Sequence, residues 1–349
     1  MNESAAVYEG NATLAGVATG LKGAGRVVIT THAKPDGDAI GSTLALHRTL
    51  RAVGVESVVV YMGYFPERFA GVVRTDDAVL YDADESGEVF VDERCALADR
   101  VVICDTGARQ QVRGALGFLE GRGAMTTIVD HHRSGDADLA QTRHIDVTAS
   151  AACVLVAELC AELLGAGVST FDRSVAQVLY LGTATDTGWF RHTNTDPRTL
   201  RTAADLLSCG VDTDALVRMS EYGDPPGRVE LLRRALNGTR LFCDDRASIM
   251  KIAAQDLEAS GVASGDTGGI VDVVRSVRTV EVVALLVELG DGRVKVSMRS
   301  KGGEDAVNVS AIANAMGGGG HFHAAGARVD GDLEYADQLV ERLLTDALG

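Results

Sequence analysis

The chain has 349 residues, 46% of them hydrophobic and 5% aromatic, which is enough to build the cores of two domains. Its formal net charge of −16 argues against a protein that holds long nucleic acid along a basic surface, so any nucleic-acid substrate should be short. The six cysteines form no CxxC pair, which argues against a zinc ribbon or a secreted disulfide framework and favours buried thiols.

Two features of the sequence favour a cytoplasmic protein that makes no contact with a membrane. The first residues lack the basic start and apolar core of a signal peptide. The most apolar segment, residues 149–165, contains Glu158 and Glu162 and is therefore too polar to span a bilayer.

The first half of the chain alternates strand and helix patterns. Short apolar runs predict strands, and apolar residues at helical spacing predict the helices between them. The predicted strands are 26–32, 57–62, 100–107 and 126–132, and the predicted helices are 38–54, 149–165 and the first part of 172–190. This alternation is typical of an α/β fold with a mostly parallel sheet and helices on both faces.

From Pro197 onward the pattern changes. Two short helical segments predict a helical linker, and a second group of strands and helices predicts a smaller C-terminal α/β domain. In that group the predicted strands are 247–253, 280–289 and 293–300, and the predicted helices are 307–320 and 333–349. We therefore expect a catalytic domain over 10–196, a linker over 197–227 and a substrate-binding domain over 228–349, with the active site in the cleft between the domains.

Acidic residues and histidines follow the ends of several predicted elements. They are His32, Asp36 and Asp38 after the first strand, Asp105 after the third, Asp130, His131 and His132 after the fourth, and Asp186 in "TATDTGWF". In an open parallel sheet the carboxyl ends of the strands line one crevice, so these groups can converge on one site.

Each of these residues alone has an ordinary structural explanation. A single aspartate after a strand is usually a helix cap or a turn former, and a single histidine usually has a polar partner within the fold. Four clusters without basic residues to neutralise them favour a metal site, because crowded carboxylates need a cation. Carboxylate and imidazole ligands without thiolate suit Mn²⁺, Mg²⁺ or Fe²⁺, and paired ions typically serve phosphoryl hydrolysis. The residues thus predict a metal-dependent phosphoesterase.

The same segments resemble a known family. "HAKPDGDAIGS" at 32–42, Asp105 in "VVICDTG", "DHH" at 130–132 and "TATDTGWF" are similar to the four ordered motifs of the DHH phosphoesterase superfamily. "GGGGHFHAAGA" at 317–327 resembles the glycine-rich signature of the C-terminal domain that accompanies one DHH subfamily. The branch it resembles most contains nano-RNases and phosphatases of 3′-phosphoadenosine-5′-phosphate (pAp).

The resemblance implies a site for two Mn²⁺ ions, with Mg²⁺ or Fe²⁺ as the alternatives. Its six ligands would be His32 and Asp36 on the first ion, Asp38, His131 and Asp186 on the second, and Asp105 on both. Asp130 would orient a ligand histidine. His132 would contact the scissile phosphate or help the leaving oxygen to take a proton.

The C-terminal domain should supply contacts to the substrate. The predicted contacts there are Arg299, Gly319, Gly320 and His321. Glycines permit close backbone approach to an anion, and a guanidinium suits a phosphate, although the glycine run by itself is also typical of a flexible loop. Arg191 is predicted either to bind substrate or to form a surface ion pair, and the roles of His192 and His323 are left open.

The resemblance favours hydrolysis of short 5′-phosphorylated oligoribonucleotides and of pAp, the reactions of an oligoribonuclease and a 3′(2′),5′-bisphosphate nucleotidase. The proposed step is in-line attack by a metal-bridging hydroxide. A cyclic di-AMP or linear dinucleotide phosphodiesterase is the alternative, followed by a non-catalytic nucleotide sensor. Length and charge argue against a long-DNA exonuclease of the RecJ type and against long duplex DNA as a partner. Members of this family are commonly homodimers, so the resemblance predicts a homodimer for this chain.

Overall fold

The computed structural model describes residues 7–73, 78–81, 93–222, 225–262, 267–303 and 306–349. The chain divides into two compact units, Met1–Gly223 and Asp224–Gly349. The division falls within the segment predicted as a linker.

The first unit is built on a parallel sheet. Its elements are α1 (Leu14–Lys22), β1 (Arg26–Thr30), α2 (Gly37–Ala52), β2 (Glu56–Met62), β3 (Ala78–Tyr81), α3 (Glu93–Ala96), β4 (Arg100–Cys104), α4 (Leu116–Leu119), β5 (Thr126–Asp130), β6 (Thr142–Ile145), α5 (Ala152–Leu164), α6 (Arg173–Asp186), α7 (Pro197–Ser208) and α8 (Thr213–Glu221). The six strands pair in the order β3-β2-β1-β4-β5-β6, and every pairing is parallel. This arrangement confirms the predicted α/β sheet.

Both faces of this sheet are buried, because successive strand residues point to opposite sides. Val27 and Ile29 of β1 belong to a core that includes residues of α1, α2, α5 and α6. Val28 lies on the other face, in a second core with Phe118 and Leu119 of α4. Parallel strands covered on both faces read as continuous apolar runs, which is why the sequence revealed them.

The predicted linker helices belong to the first unit. Ala203 and Leu206 of α7 and Leu216 of α8 are buried in its core. Arg198 of α7 pairs with Glu158 of α5 at 2.7 Å and with Asp146 at 2.6 Å, which ties α7 to this unit.

The second unit is built on a mixed sheet. Its elements are α9 (Gly227–Asn237), β7 (Arg240–Phe242), β8 (Ala247–Ile252), α10 (Ala254–Ser260), α11 (Ile270–Arg275), β9 (Val282–Glu288), β10 (Arg293–Ser300), α12 (Val309–Ala315), β11 (Gly319–His321), β12 (Ala324–Asp330) and α13 (Leu333–Leu348). The strand order is β11-β12-β10-β9-β8-β7, with only β8 and β9 parallel. Four of the six cysteines are buried, and all six are free thiols, as predicted. No helix among the described residues is long and apolar enough to cross a membrane.

Close contact between α2 and α6 depends on glycine. A Cβ on Gly41 of α2 would lie 2.3 Å from the backbone oxygen of Val178 and 2.8 Å from the sulfur of Cys153. Only a residue without a side chain allows these helices to approach so closely.

We expect Gly41→Ala to destabilise the first unit by about 1–3 kcal/mol, because backbone atoms cannot yield to the added methyl group. The matched control is Gly20→Ala, where a Cβ in α1 would meet nothing within 4 Å. The control should be neutral or stabilising by up to about 1 kcal/mol. Urea unfolding followed by the fluorescence of Trp189, the single tryptophan, measures both changes in the first unit. Equal unfolding midpoints for the two variants would refute the proposed close packing.

Candidate metal centre

Polar side chains from several loops meet at the carboxyl edge of the first sheet. In this strand order β1 and β4 are neighbours whose connections leave in opposite directions, which is where open α/β sheets bind ligands. Nε2 of His32, after β1, lies 3.4 Å from Oδ2 of Asp105, after β4. Nε2 of His131, after β5, lies 3.3 Å from Oδ1 of the same aspartate. Asp105 therefore lies between two histidines.

Three groups of side chains bring metal-binding atoms within 4.8 Å of one another. The groups are His32, Asp36 and Asp105; Asp38, His131 and Asp186; and Asp105, His131 and His132. The first two contain the residues that the sequence predicted for two ions, brought together from segments as far apart as His32 and Asp186. The structure thus places all six predicted ligands in one cluster, while their binding of metal stays a prediction.

Asp105 fits a cation for a specific physical reason. The side chain is only 4% exposed, and its Oδ1 accepts no well-aligned hydrogen bond from the described residues, although Nε2 of His131 lies 3.3 Å away. A buried carboxylate oxygen without a donor is costly unless a positive charge compensates it. The residue also has a backbone φ of +62°, a left-handed conformation that aspartate and asparagine tolerate better than most residues. The chemistry of this site therefore suits a divalent cation.

Asp36 and Asp38 also act as helix caps. Oδ1 of Asp36 accepts hydrogen bonds from the N–H groups of Asp38 and Ala39 at the start of α2, at 3.0 and 3.1 Å. The carboxylate of Asp38 accepts from the N–H groups of Ala152 and Cys153 at the start of α5, at 2.6 and 2.8 Å. Each carboxylate oxygen has two lone pairs, so a cap can still bind a cation. Capping and metal binding are therefore compatible roles here.

Backbone carbonyls bind one ring nitrogen of His32 and of His131 and leave the other nitrogen facing Asp105. Nδ1 of His32 lies 3.0 Å from the carbonyl of Ala33, and Nδ1 of His131 lies 3.2 Å from the carbonyl of Ala149. A carbonyl only accepts, so both Nδ1 atoms donate and the neutral rings keep a lone pair on Nε2. Both Nε2 atoms face Asp105, which is the arrangement that metal-binding histidines show.

The electrostatics of the cluster reflect crowded negative charge. Burial, together with the charge of Asp105, raises the pKa of Asp38 well above its usual range and that of Asp186 to about 7. Burial alone would lower the pKa of the two histidines, but contact with Asp105 outweighs it and raises the pKa of His32 to about 9 and that of His131 to about 10. In return, those histidines outweigh burial and hold the pKa of Asp105 below its usual range. In the metal-free cluster, protons on these side chains offset the negative charge that a bound cation would otherwise offset.

Asp130 holds the DHH segment, residues 130–132, through its hydrogen bonds. It is fully buried, and its Oδ1 accepts from the backbone N–H of His131 at 2.8 Å and of His132 at 3.2 Å. The same oxygen lies 2.8 Å from Nδ1 of His132. Asp130 therefore orients the backbone of His131 and the ring of His132, whereas the ring of His131 is held by Ala149.

Sequence reasoning missed Tyr8. Its hydroxyl donates to Oδ2 of Asp130 at 2.6 Å, across 122 positions of sequence. Burial and the neighbouring Asp130 charge raise the pKa of this tyrosine, so the hydroxyl keeps its proton. The segment around Tyr8 carries no motif, and nothing in the sequence could have linked it to the site.

The predicted substrate contacts of the second unit lie on its sheet. The guanidinium of Arg299 makes one hydrogen bond among the described residues, from Nη1 to the carbonyl of Met298 at 3.0 Å, and burial lowers its pKa. Gly319 and Gly320 belong to β11, where they pair with Gly326 and Ala325 of β12. The backbone of His321 completes this strand, but its side chain lies outside the described residues.

Gly319 and Gly320, the last two glycines of the run, belong to strand β11, whereas Gly317 and Gly318 precede it. Gly320 has a φ of +140°, and a Cβ there would lie 2.6 Å from the backbone oxygen of Ala324. A Cβ on Gly318 would lie 2.2 Å from the backbone oxygen of Gly326. At these positions glycine is therefore required by the tight pairing of β11 and β12.

The remaining residues lie outside the acidic cluster. Arg191 is exposed, and its Nε donates to the carbonyl of Gly188 at 2.7 Å. The ring of His192 packs on Gly188, where a Cβ would lie 2.3 Å from its Nε2. Nδ1 of His323 lies 3.0 Å from the hydroxyl of Ser300 in the second unit. The described part of the chain brings none of these residues into the three metal-binding groups.

Comparison with known proteins finds two family matches and several relatives. Residues 26–183 match the DHH family, N-terminal domain, and residues 250–346 match the DHHA1 domain. A bifunctional oligoribonuclease and PAP phosphatase NrnA from Thermus thermophilus is 33% identical over 321 residues, which cover 92% of this chain and 88% of the relative. A protein of the same name from Bacillus subtilis is 25% identical over 92% of this chain and 93% of the relative.

Solved structures share the fold. An exopolyphosphatase-related protein from Bacteroides fragilis has a TM-score of 0.87 at 24% identity, and the match covers 96% of both chains. Exonuclease RecJ bound to manganese has a TM-score of 0.53 at 16% identity, covering 96% of this chain and 94% of the other. At these identities the likeness concerns the fold alone.

We expect Asp105→Asn to weaken Mn²⁺ binding by at least about 100-fold, since residues that only support a ligand already contribute about 10–100-fold. Asparagine tolerates the left-handed backbone of this position, so the change removes charge without adding strain. Isothermal titration calorimetry measures the affinity. Asp346→Asn, on the exposed face of α13, is the control of equal charge change and should bind Mn²⁺ like the unchanged protein. Retained affinity in Asp105→Asn would remove this residue from the ligand set.

We also expect Mn²⁺ affinity to rise with pH. Because the pKa values of His32 and His131 lie at about 9 and about 10 without metal, both rings are protonated at neutral pH and must release protons to bind a cation. Titrations in buffers of different ionisation enthalpy, between about pH 6 and pH 8.5, count the released protons. The raised pKa values of His32 and His131 also stabilise the metal-free fold. This stabilisation is fully present below about pH 6.5 and is lost as pH rises through about 9 to 10. Metal binding without proton release would contradict the histidine contribution.

Proposed function

Because the chain belongs to the DHH family, in the branch of bifunctional oligoribonucleases and PAP phosphatases, we propose that it is a phosphoesterase of small nucleotides. The proposed substrates are short 5′-phosphorylated oligoribonucleotides and pAp. An RNA dimer would yield nucleoside monophosphates, and pAp would yield AMP and phosphate. The names of the relatives from Thermus thermophilus and Bacillus subtilis support both substrates, and the net charge of −16 supports short rather than long nucleic acid.

The observation that carries this proposal is that Asp105 links two carboxylate–imidazole groups, through its contacts with His32 at 3.4 Å and with His131 at 3.3 Å. We propose that these groups hold two divalent cations, with Mn²⁺ as the working metal. The proposed ligands are His32 and Asp36 for one ion, Asp38, His131 and Asp186 for the other, and Asp105 for both. When bound, such ions supply positive charge beside the phosphate oxygens and lower the pKa of the attacking water.

His132 is the proposed proton donor to the leaving oxygen. Its Nδ1 is held by Asp130 at 2.8 Å, and Nε2 is the atom that we propose reaches the leaving oxygen. Burial lowers the pKa of this ring, but the hydrogen bond and charge of Asp130 outweigh burial and raise it. A raised pKa keeps more of His132 protonated near neutral pH, as a general acid requires. The side chain is 26% exposed, so a leaving group can reach it.

The second unit supplies the proposed contacts to the rest of the nucleotide. Arg299 has N–H donors left over after its bond to Met298, and a guanidinium binds phosphate through two parallel hydrogen bonds. Gly319, Gly320 and His321 are proposed to lie against the same substrate, and Arg191 is the proposed contact from the first unit. Each of these roles is a proposal about substrate affinity rather than about the chemical step.

The test is a comparison of four substrates with the purified protein and Mn²⁺: pAp, a 5′-phosphorylated RNA dimer, cyclic di-AMP and pyrophosphate. We expect turnover of pAp and of the dimer. We expect His132→Asn to lower kcat by at least about 100-fold without weakening Mn²⁺ binding, since a general acid typically contributes about 10²–10⁴-fold. Asp346→Asn again serves as the control, with unchanged turnover.

Each other outcome has a definite reading. Faster turnover of cyclic di-AMP than of pAp would favour a cyclic dinucleotide phosphodiesterase. That activity is named for a relative from Geobacillus thermodenitrificans, which is 27% identical, and the match covers 47% of the relative's length. Turnover of pyrophosphate alone would refute the proposed nucleotide contacts of the second unit. Bound Mn²⁺ and bound nucleotide without turnover of any substrate would show a sensor instead of an enzyme.

A further inference from the structure

The hydrogen bonds of Asp130 are divided between its two oxygens. Oδ1 accepts from the DHH segment, including Nδ1 of His132 at 2.8 Å, whereas Oδ2 accepts from the hydroxyl of Tyr8 at 2.6 Å. The carboxylate is fully buried, so no water can replace a missing donor without entering the core. The hydroxyl of Tyr8 therefore provides the hydrogen bond that holds the far oxygen.

This division matters for the orientation of His132. The terminal torsion of an aspartate is broad and nearly two-fold, and without a donor on Oδ2 only the three contacts of Oδ1 in the DHH segment would oppose its rotation. Rotation would carry Oδ1 out of line with Nδ1 of His132. With Tyr8 on Oδ2, the plane of the carboxylate is fixed, and the ring of His132 is fixed with it.

Tyr8 is itself held in a site shaped for it. A Cβ on Gly107 would lie 2.1 Å from its hydroxyl oxygen, and a Cβ on Gly135 would lie 2.6 Å from its ring. These glycines lie in the loops that carry Asp105 and the DHH segment. Just beyond Tyr8, the N–H groups of Asn11 and Ala12 donate to the carbonyl of Arg143 at 2.8 and 3.0 Å. The N-terminal segment is thus anchored beside β6 with its tyrosine inserted between two site loops.

We propose that Tyr8 is a positioning residue for phosphoester hydrolysis, which acts through Asp130 to hold His132 in the orientation that reaches the leaving oxygen. This inference rests on the proposed function for its kinetic consequence. Its structural part, the fixed ring of His132, does not depend on which substrate is cleaved. Among the described contacts, the hydroxyl of Tyr8 bonds to Asp130 and to none of the six proposed metal ligands.

The experiment compares Tyr8→Phe with Tyr61→Phe. Both changes delete the hydroxyl of a buried tyrosine in the first unit, but Tyr61 bonds to the hydroxyl of Thr43 at 2.7 Å, outside the site. We expect Tyr8→Phe to lower kcat by about tenfold while KM and Mn²⁺ affinity change less than about twofold. Tyr61→Phe should leave kcat, KM and Mn²⁺ affinity unchanged.

A second readout does not require turnover. In the ¹H spectrum of histidine-labelled protein with diamagnetic Mg²⁺, the Nδ1 proton of His132 should give a low-field signal that is absent in His132→Asn. We expect this signal to broaden or disappear in Tyr8→Phe and to persist in Tyr61→Phe. Gly135→Ala, whose new methyl group displaces the tyrosine ring while keeping its hydroxyl, should act in the same direction as Tyr8→Phe.

The outcomes separate this inference from the proposed function. Absence of turnover in the unchanged protein refutes the function, while the low-field signal still decides the positioning of His132. Unchanged kcat and an unchanged signal in Tyr8→Phe would overturn the inference. A parallel loss of kcat and Mn²⁺ affinity would also overturn it, since Tyr8 would then support the metal centre as a whole.

Discussion

The charge balance around Asp105 is the constraint on which the first unit depends. Its carboxylate is buried between His32 and His131, with Asp38 and Asp186 close by. Carboxylates at this density repel one another, and burial removes the water that would screen them. The fold holds them together through positive charge, supplied by protons on the histidines without metal and by cations in the proposed function. The opposite directions of the pKa shifts at Asp105 and Asp38 follow from this competition.

Helix starts are the structural means of holding these charges. The N-terminus of a helix carries unpaired N–H groups and a partial positive charge, and both favour a carboxylate. Asp36 is held at the start of α2, and Asp38 at the start of α5. At Gly41 α2 packs closely on α6, and a Cβ there would also meet the sulfur of Cys153 in α5, so the same helices are in contact with one another. The residues that shape the site are therefore also the residues that hold the helices together.

The glycines of this chain differ in physical role. The run at 317–320 resembled a backbone arranged for an anion, yet Gly318 and Gly320 are already required by the pairing of β11 with β12. Contact with a phosphate stays a prediction. It is not needed to explain why these positions are glycine. Gly107, at the end of "VVICDTG", and Gly135, outside the quoted motifs, by contrast make room for the ring of Tyr8. A glycine in a sequence signals close approach, but only the fold identifies what approaches.

By itself the sequence determined the elements whose patterns are local. Buried parallel strands such as β1 and β4 are continuous apolar runs, and the carboxyl-end rule for such sheets is enough to predict that His32, Asp105 and His131 lie together. Short elements without a clear apolar pattern were missed: β6 was not predicted, and the predicted helix 307–320 was wrong at its end, where Gly319 and Gly320 pair in β11 with β12. The tertiary structure alone decided which nitrogens of His32 and His131 face Asp105 and that Asp38 caps α5. It also decided that α7 and α8 belong to the first unit and that Tyr8 bonds to Asp130. Each of these depends on hydrogen bonds or packing between segments far apart in sequence, and periodicity and motifs record only what lies close along the chain.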